Sequence, residues 1–255
     1  PEGGHGLDAA LRLRSDRLAG ILNGIDTESW NPATDREIAA VFDAKTLEAR
    51  AKNKAALQEE AGLEKDARMP MLGVVSRLVK EKGFEIAAPA VKRWLERGGQ
   101  FVLLGTGDPT LEHEYAQFEM RFPHRASVRL RFDSRYARRI YAGADALLVP
   151  SRYEPCGLAQ MIAMRYGCVP VARRTGGLAD TVTDAGEPGG TGLMFDEFNS
   201  WALWDALERA LKVYAQVPKW AELQKNGMGR DFSWSGSAKE YAALYERAKA
   251  ARTGR

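Results

Sequence analysis

The stretch DALLVPSRYEPCGLAQMIAMRYG, residues 145–167, decides the fold. It begins with a short apolar run without polar alternation, continues through a loop that contains proline and glycine, and ends in an amphipathic segment. A strand of that kind, followed directly by a helix, is typical of a parallel sheet that helices cover on both faces. Because the same order recurs on both sides of the stretch, the sequence predicts a doubly wound, Rossmann-like α/β domain.

Apolar runs and helical periodicity predict the elements of this domain. Strands are predicted at 18–22, 71–76, 100–104, 128–132, 146–149, 169–172 and 192–195, and helices at 45–60, 84–97, 111–121, 135–142, 158–166 and 202–214. We expect residues 1–17 to be an interdomain linker, 18–217 the Rossmann-like domain, and 218–255 C-terminal helices that pack back across the interdomain region. Helical spacing also predicts packing roles for Met161, Met164, Trp201, Trp204, Tyr241 and Tyr245.

The composition is that of an ordinary soluble protein, with 255 residues of which 45% are hydrophobic and 28% charged. The 37 basic residues nearly balance 34 acidic ones and form no long run, so neither nucleic acid nor a membrane is an expected partner. Two cysteines, Cys156 and Cys168, cannot build a disulfide framework, which favours a reducing cytoplasm. Three scattered histidines lack the spacing of metal ligands, so no metal is expected.

Ligands of such sheets bind at the carboxyl ends of the strands, so the loops that follow the strands carry the candidate site. In GVVSRLVKEKG, residues 73–83, Arg77 follows a strand directly and Lys82 precedes a helix. Two cations in that place form a receptor for a diphosphate. The alternative is a solvated surface loop, which a lone pair of this kind more often forms.

The loop after the strand at 146–149 contains Glu154, which leads through a Pro-Cys-Gly turn into a helix. Glu154 is a candidate acceptor for sugar hydroxyls or a stabiliser of positive charge at an anomeric carbon. The backbone amides of Cys156, Gly157 and Leu158 are candidate donors to a sugar or phosphate. The alternatives are a helix-capping role for Glu154 and a packing role for Cys156.

Two further loops carry glycines where backbone can approach a ligand closely. The first loop follows the strand at 100–104 and consists of Gly105, Thr106 and Gly107. The second follows the strand at 169–172 and contains Thr175, Gly176 and Gly177. Either loop serves equally well as a tight turn between a strand and a helix.

Taken together and in this order, the loops resemble those of bacterial glycogen synthases and plant starch synthases. The segments that carry the resemblance are ILNGIDTESWNPATD, GVVSRLVKEKG, ADALLVPSRYEPCGLAQMIAMRYG, VPVARRTGGLADTV and DFSWSGSAKEYAALYERA. Similarity extends from about residue 7 to about residue 249. The resemblance implies the C-terminal domain of a GT-B glycosyltransferase, which has two Rossmann-like domains and an active site in the cleft between them.

The resemblance implies transfer of glucose from ADP-glucose to the non-reducing end of an α-1,4-glucan, with retention and without a metal or other cofactor. It places Arg77 and Lys82 at the diphosphate, Glu154 at the donor glucose and Tyr136 at the nucleobase. The family's N-terminal domain, with its Lys-Thr-Gly-Gly-Leu loop and acceptor site, has no counterpart here. This chain alone is therefore expected to bind the donor but to be inactive.

Two positions depart from the patterns of these transferases: Ala159 stands where the family has threonine, and Ile162 where related enzymes often have a second glutamate. The second departure leaves ribose recognition without an assigned residue. Two alternatives remain open at the level of sequence. One is a non-catalytic module that binds nucleotide or glucan, and the other is a retaining glucosyltransferase that uses another nucleotide sugar, such as UDP-glucose.

Overall fold

The computed structural model describes residues 6–253, so residues 1–5 of the predicted linker lie outside the described part. A six-stranded parallel sheet has the order β3-β2-β1-β4-β5-β6. Its strands are β1 (Met71–Val75), β2 (Gln100–Leu104), β3 (Ala126–Arg129), β4 (Ala146–Val149), β5 (Val169–Arg173) and β6 (Leu193–Phe195). The helices of the described residues are α1 (Asp8–Arg12), α2 (Arg50–Glu60), α3 (Phe84–Glu96), α4 (Pro109–Arg121), α5 (Ser134–Gly143), α6 (Ala159–Arg165), α7 (Gly176–Thr181), α8 (Ser200–Tyr214), α9 (Val217–Met228) and α10 (Trp234–Thr253). The predicted doubly wound α/β fold is confirmed.

The central strands are buried on both faces, which is why their sequences lack polar alternation. All residues of β2 and β4 are buried. The strand order reverses between β1 and β4, because the chain runs outward from β1 through β2 to β3 and then returns to the other side. That reversal leaves a crevice at the carboxyl ends of β1 and β4, where ligands of open α/β sheets bind.

Helix α3 shows how the helices are attached to the sheet. Ala87, Val91 and Trp94 are buried at the spacing of one helical face and pack into the main hydrophobic core. The indole Nε1 of Trp94 donates a hydrogen bond of 2.8 Å to the carbonyl of Gln100, at the start of β2. This contact satisfies the polar atom of a fully buried side chain and fixes the helix against the strand that follows it.

The predicted strand at 18–22 is wrong. Residues 18–24 have no regular structure, and the side chain of Leu18 is 55% exposed. The first pairing in this region is a single bridge, in which the backbone N–H of Ile25 donates to Phe232. An apolar run of strand length does not form a strand here because no neighbouring strand pairs with it.

The third strand lies earlier than the predicted 128–132, at Ala126–Arg129. The apolar residues that suggested the later position are Leu130 and Phe132, which are 37% and 92% exposed. They belong to the loop that follows the strand at the carboxyl edge of the sheet. Their exposure shows that they lie outside the core.

Helical spacing predicted six packing side chains with mixed success. The prediction is confirmed for Met161, Met164 and Trp204. It is wrong for Trp201, Tyr241 and Tyr245, which are exposed. The guanidinium of Arg93 lies 3.9 Å from the centre of the Trp201 ring, so this tryptophan packs against a cation on the surface instead of the core.

The chain divides into two compact units at positions that differ from the predicted 17/18 and 217/218 boundaries. The larger unit is Thr27–Arg230, which contains the sheet and α9; this helix packs against α6 and α8. The smaller unit joins the segment before Thr27 to the segment after Arg230. Within it, α1 has no buried residue, and the hydroxyl of Ser237 on α10 donates to the carbonyl of Leu22 at 2.7 Å. Packing of the C-terminal helices across an interdomain region stays a prediction.

Candidate functional site

Three loops meet at the carboxyl ends of β1, β4 and β5, all within the larger unit. The backbone N–H of Arg152, after β4, donates to the carbonyl of Glu81, after β1, at 2.9 Å. The backbone N–H of Gly177, after β5, donates to the carbonyl of Glu154 at 3.0 Å. These bonds connect loops that are far apart in sequence and bring most of the predicted site residues together.

The centre of this region is an ion pair between two predicted site residues, Lys82 and Glu154. Lys82 Nζ lies 2.5 Å from Glu154 Oε2, and the hydroxyl of Ser151 donates to the same oxygen at 3.1 Å. The Glu154 side chain is 9% exposed and that of Lys82 26%. A buried carboxylate is retained only with such partners, and the ammonium keeps a solvent-facing side for a ligand.

The helix-capping alternative for Glu154 is wrong. Its carboxylate is committed to Lys82 and Ser151, and α6 begins at Ala159 without a side-chain cap. The turn before α6 is instead held by Gln160, whose side-chain amide donates to the carbonyls of Cys156 and Gly157 at 3.0 and 2.9 Å.

That turn presents hydrogen-bond donors. The backbone N–H groups of Cys156, Gly157 and Leu158 make no hydrogen bond with the described residues. Cys156 and Gly157 are half-buried, whereas the side chain of Leu158 is 46% exposed. Three free amides beside a buried carboxylate provide both donors and an acceptor to a polyhydroxylated ligand.

Arg77 differs from Lys82 because it has no partner. Its side chain is exposed and makes no hydrogen bond or ion pair within residues 6–253. It lines a cavity of about 350 Å³ at the carboxyl ends of β1 and β2. An unpaired guanidinium at a cavity wall is available for bidentate contact with an anionic group.

The walls of this cavity, which we call the edge cavity, come from β1, β2, α5, α6 and the segment around Trp30. The lining residues are Trp30, Val75, Ser76, Arg77, Leu104, Gly105, Thr106, Arg131, Phe132, Asp133, Ser134, Ala137, Tyr141 and Ile162. Most of the surface is apolar; Arg77 contributes positive charge, whereas Arg131 pairs with Asp133 in the same wall at 2.9 Å. A flat apolar group attached to an anion fits such walls.

Tyr136 does not fit the nucleobase contact that the resemblance implied. Its side chain is 1% exposed and does not line the edge cavity. Arg129 lies 3.6 Å from the centre of its ring, and burial raises the pKa of the phenol to about 12. The aromatic residue at the cavity is Phe132, four positions earlier and 92% exposed. Tyr136 is buried because it lies on the inward face of the amphipathic helix α5.

The glycines after β2 serve chain packing first. A Cβ atom at Gly105 would overlap the carbonyl oxygen of Ser76. The backbone N–H of Leu78 donates to the carbonyl of Thr106 at 2.9 Å, and Leu78 forms a bridge with Gly107. Gly105 and Thr106 also line the edge cavity, whereas Gly107 does not. The tight-turn alternative therefore accounts for this loop, which also forms one wall of the cavity.

The loop after β5 packs against the backbone of Glu154. Gly176 has a φ of +45°, and a Cβ atom there would overlap the Glu154 carbonyl oxygen. Gly177 is buried and donates to that same carbonyl, as described above. Thr175 is half-buried and accepts a hydrogen bond from the backbone N–H of Leu178. The paired glycines thus set the position of the acidic loop by close contact.

Trp30 is a wall of the edge cavity that the sequence did not suggest, and a buried network holds it. Arg138 lies 4.3 Å from the centre of its ring and donates to the Ser29 carbonyl at 2.7 Å. Asp35 accepts hydrogen bonds from Arg138 at 3.0 Å and from the Tyr166 hydroxyl at 2.5 Å. In the sequence, Trp30 is followed by Asn31 and Pro32, which is typical of a surface turn. Only the contacts of Arg138 in the structure show that this segment is held in place.

We expect Asp35→Asn to weaken binding of ligands that occupy the edge cavity by about tenfold. The substitution removes the buried charge partner of Arg138, so Arg138 no longer holds the Trp30 ring in position. Titration calorimetry with ADP, against pyrophosphate as a ligand without a base, measures the effect. The pyrophosphate affinity should stay unchanged. The control is Glu37→Gln on the same segment, whose carboxylate makes only a half-exposed contact of 3.5 Å with Arg135. Equal losses for both ligands would contradict a role confined to this wall.

Other kinds of site find no support in the described part of the chain. Within residues 6–253, no group of three or more His, Cys, Asp or Glu side chains is placed to hold a metal ion. The described helices include none with both the length and the apolar character needed to cross a bilayer. Cys156 and Cys168 are free thiols, and burial raises the pKa of Cys168 to about 12.

A family model for group 1 glycosyl transferases matches residues 69–213, the part of the chain that forms the sheet and the three loops. The chain therefore belongs to the group 1 glycosyl transferases. Its relatives include the glycogen synthase of Syntrophotalea carbinolica, 47% identical over 250 residues that cover 97% of this chain and 52% of that protein. The glycogen synthase of Kosmotoga olearia is 48% identical over 248 residues, which cover 96% of this chain and 52% of that protein.

A solved structure of a starch synthase is also similar to this chain. The catalytic domain of starch synthase IV from Arabidopsis thaliana, bound to ADP and acarbose, superposes with a TM-score of 0.91 at 43% identity. The match covers 96% of this chain and 52% of that one. The predicted resemblance to glycogen and starch synthases and the predicted GT-B fold are confirmed. The chain spans about half the length of the curated relatives it matches.

Proposed function

We propose that this chain is the donor-binding half of a glycogen or starch synthase, which transfers glucose from ADP-glucose to the non-reducing end of an α-1,4-glucan with retention. The observation that carries the proposal is that Arg77, in the wall of the edge cavity, and the ion pair of Lys82 with Glu154 lie in the loops at the same carboxyl edge of the sheet. Relatives that share this region are glycogen synthases, and the related starch synthase structure holds ADP and acarbose.

The diphosphate of the donor binds between Arg77 and Lys82 in this proposal. Both cations follow β1, one unpaired and one with a solvent-facing side. Their charges stabilise the negative charge that develops on the departing ADP, which lowers the barrier to cleavage of the sugar–phosphate bond. No metal is needed for this role, since two cations already face the leaving group.

The nucleobase occupies the edge cavity between Trp30 and Phe132. The cavity has a volume of about 350 Å³ and mostly apolar walls. These walls favour a purine, because a purine buries more apolar surface there than a pyrimidine does. Ile162, which stands where related enzymes often have glutamate, is 6% exposed and forms part of this wall. Its apolar side chain extends the base-binding surface. Because this side chain cannot form hydrogen bonds, other groups bind the ribose hydroxyls.

The donor glucose lies against the turn after β4. Glu154 accepts hydrogen bonds from sugar hydroxyls, while the free amides of Cys156, Gly157 and Leu158 donate to them. A carboxylate at this place also stabilises positive charge that develops at the anomeric carbon. The acceptor glucan binds through groups outside these loops, so we expect this chain to bind donor and to have negligible synthase activity alone. Two free thiols are consistent with a cytoplasmic protein.

Titration calorimetry of the chain with ADP and with UDP tests the donor assignment. We expect ADP to bind at least about tenfold more tightly, because the purine covers more of the apolar walls. Equal affinities would contradict the choice of ADP-glucose. Incorporation of labelled glucose into glycogen tests whether the acceptor site lies outside this chain. Robust turnover by this chain alone would contradict that hypothesis.

A further inference from the structure

One buried side chain, that of Gln160 on α6, connects the turn at 156–158 with the helix that follows β5. Gln160 is fully buried, and its Nε2 donates to the carbonyls of Cys156 and Gly157, as described above. The same nitrogen donates to the hydroxyl of Thr181, on α7, at 3.1 Å. We call the turn at 156–158 the amide turn. Its backbone is therefore held from the inner side by a single side-chain amide.

The contacts of Gln160 decide where the amides of this turn point. In a trans peptide, as the described peptides are, the C=O and the following N–H point in opposite directions. The Cys156 carbonyl faces Gln160, so the N–H of Gly157 points away from it. The Gly157 carbonyl also faces Gln160, which turns the N–H of Leu158 away in the same manner. These two N–H groups are among the free amides assigned above to the donor glucose.

The same contacts continue to the backbone of Glu154. The hydroxyl of Thr181 has one hydrogen, which it donates to the carbonyl of Gly177 at 2.6 Å, so it accepts from Gln160. The N–H of Gly177 in turn donates to the carbonyl of Glu154 at 3.0 Å. Both Gln160 and Thr181 are buried. One buried network thus holds both the donors of the amide turn and the loop that carries the carboxylate.

Packing alone does not explain a glutamine at position 160. Its Oε1 is buried and has no hydrogen-bond donor within residues 6–253, which costs stability. Gly157 has a φ of +77°, and a Cβ atom there would overlap this oxygen, so the amide turn packs directly on the side chain. Methionine has nearly the same length and would fill this space without an unpaired acceptor. What the glutamine adds is the contact of its nitrogen with the turn and with Thr181.

We propose that Gln160 is a positioning residue for the donor glucose. Through the buried network it keeps the outward amides of the turn and the Glu154 loop in fixed places relative to each other. This role rests on the proposed function, because it requires that the amide turn binds the glucose. Gln160 then affects the glucose part of the donor and not the ADP part, since Arg77 and Lys82 lie in another loop.

Titration calorimetry of Gln160→Met with ADP-glucose and with ADP tests the proposal. The affinity for ADP-glucose should fall about tenfold, while that for ADP should stay within about twofold. The matched control is Gln58→Met on α2, since Gln58 is buried too and its Nε2 donates to the Asp66 carbonyl at 2.9 Å and to Gln100 Oε1 at 2.8 Å. The control should lower Tm similarly and leave both affinities unchanged. An unchanged ratio of the two affinities in Gln160→Met would overturn the proposal.

Thr181→Val tests the same network even where Gln160→Met fails to fold. It keeps the shape of the side chain and removes the hydroxyl, so the affinity for ADP-glucose should fall about three- to tenfold. The double variant should lose less than the product of the two single losses, because both substitutions break the same network. Losses that multiply would mean that the two side chains act separately and would overturn the connection.

Amide hydrogen exchange of the ligand-free chain separates this role from the proposed function. In Gln160→Met, residues 154–158 and 176–182 should both exchange faster than in the unsubstituted chain, whereas Gln58→Met should change neither segment. Failure of the unsubstituted chain to bind ADP-glucose would overturn the proposed function. Unchanged exchange of both segments in Gln160→Met would overturn the positioning role by itself, whatever the ligand.

Discussion

Lys82→Ala lowers the affinity of the chain for ADP by about 100-fold, the larger of the two phosphate-site losses we expect. Two effects add. The substitution removes a charge-assisted contact to the diphosphate, and among the described residues it leaves the buried carboxylate of Glu154 with Ser151 as its one remaining side-chain partner. That uncompensated negative charge then faces the phosphates. Arg77→Ala removes a contact without exposing a carboxylate, so its loss should be about tenfold.

Titration calorimetry with ADP measures both losses, and the double variant Lys82→Ala/Glu154→Gln separates the two effects. Removal of the Glu154 charge should recover about five- to tenfold of the affinity that Lys82→Ala loses. Glu154→Gln alone should leave ADP binding intact while it weakens binding of ADP-glucose. Unchanged ADP affinity in both Lys82→Ala and Arg77→Ala would sink the assignment of the diphosphate, and absence of recovery would show that repulsion from Glu154 is unimportant.

The fold was predictable from the sequence because its central strands are buried on both faces. Runs such as residues 100–104 and 146–149 have the same bounds in the structure as in the prediction, since a buried parallel strand best explains four consecutive apolar residues between helices. Errors arose where apolar residues are exposed. The run at 18–22 has no strand to pair with, and Phe132 extended the third strand beyond its true end at Arg129.

The candidate site was predictable to the extent that its residues follow strands. Arg77, Lys82 and Glu154 were placed together because parallel strands end at one edge. Trp30 was missed because it lies before the first strand and is held at the edge cavity by contacts, such as those with Arg138 and Tyr141, that span more than 100 residues of sequence. Long-range contacts of this kind leave no periodic signal, so neither strand order nor spacing reveals them.

Gly176→Ala should lower both the stability of the chain and its affinity for ADP-glucose. The new side chain would overlap the carbonyl oxygen of Glu154 and would hold a φ of +45°, which L-residues rarely adopt. Strain and overlap together should cost about 2–4 kcal/mol, or roughly 5–10 °C in Tm for a domain of this size. Relief of the overlap moves the Glu154 loop, so the affinity for ADP-glucose should fall about tenfold or more.

Gly189→Ala is the matched control, because Gly189 has a φ of +72° and open space around the position of a Cβ atom. It carries the backbone strain without the overlap, so its cost should be near 1 kcal/mol with unchanged binding. Thermal unfolding and calorimetry with ADP-glucose on the two variants therefore separate strain from displacement. Equal Tm values and equal affinities would mean that the Gly176 turn does not set the position of Glu154. A loss of affinity confined to Gly176→Ala would assign the paired glycines after β5 to the support of the acidic loop.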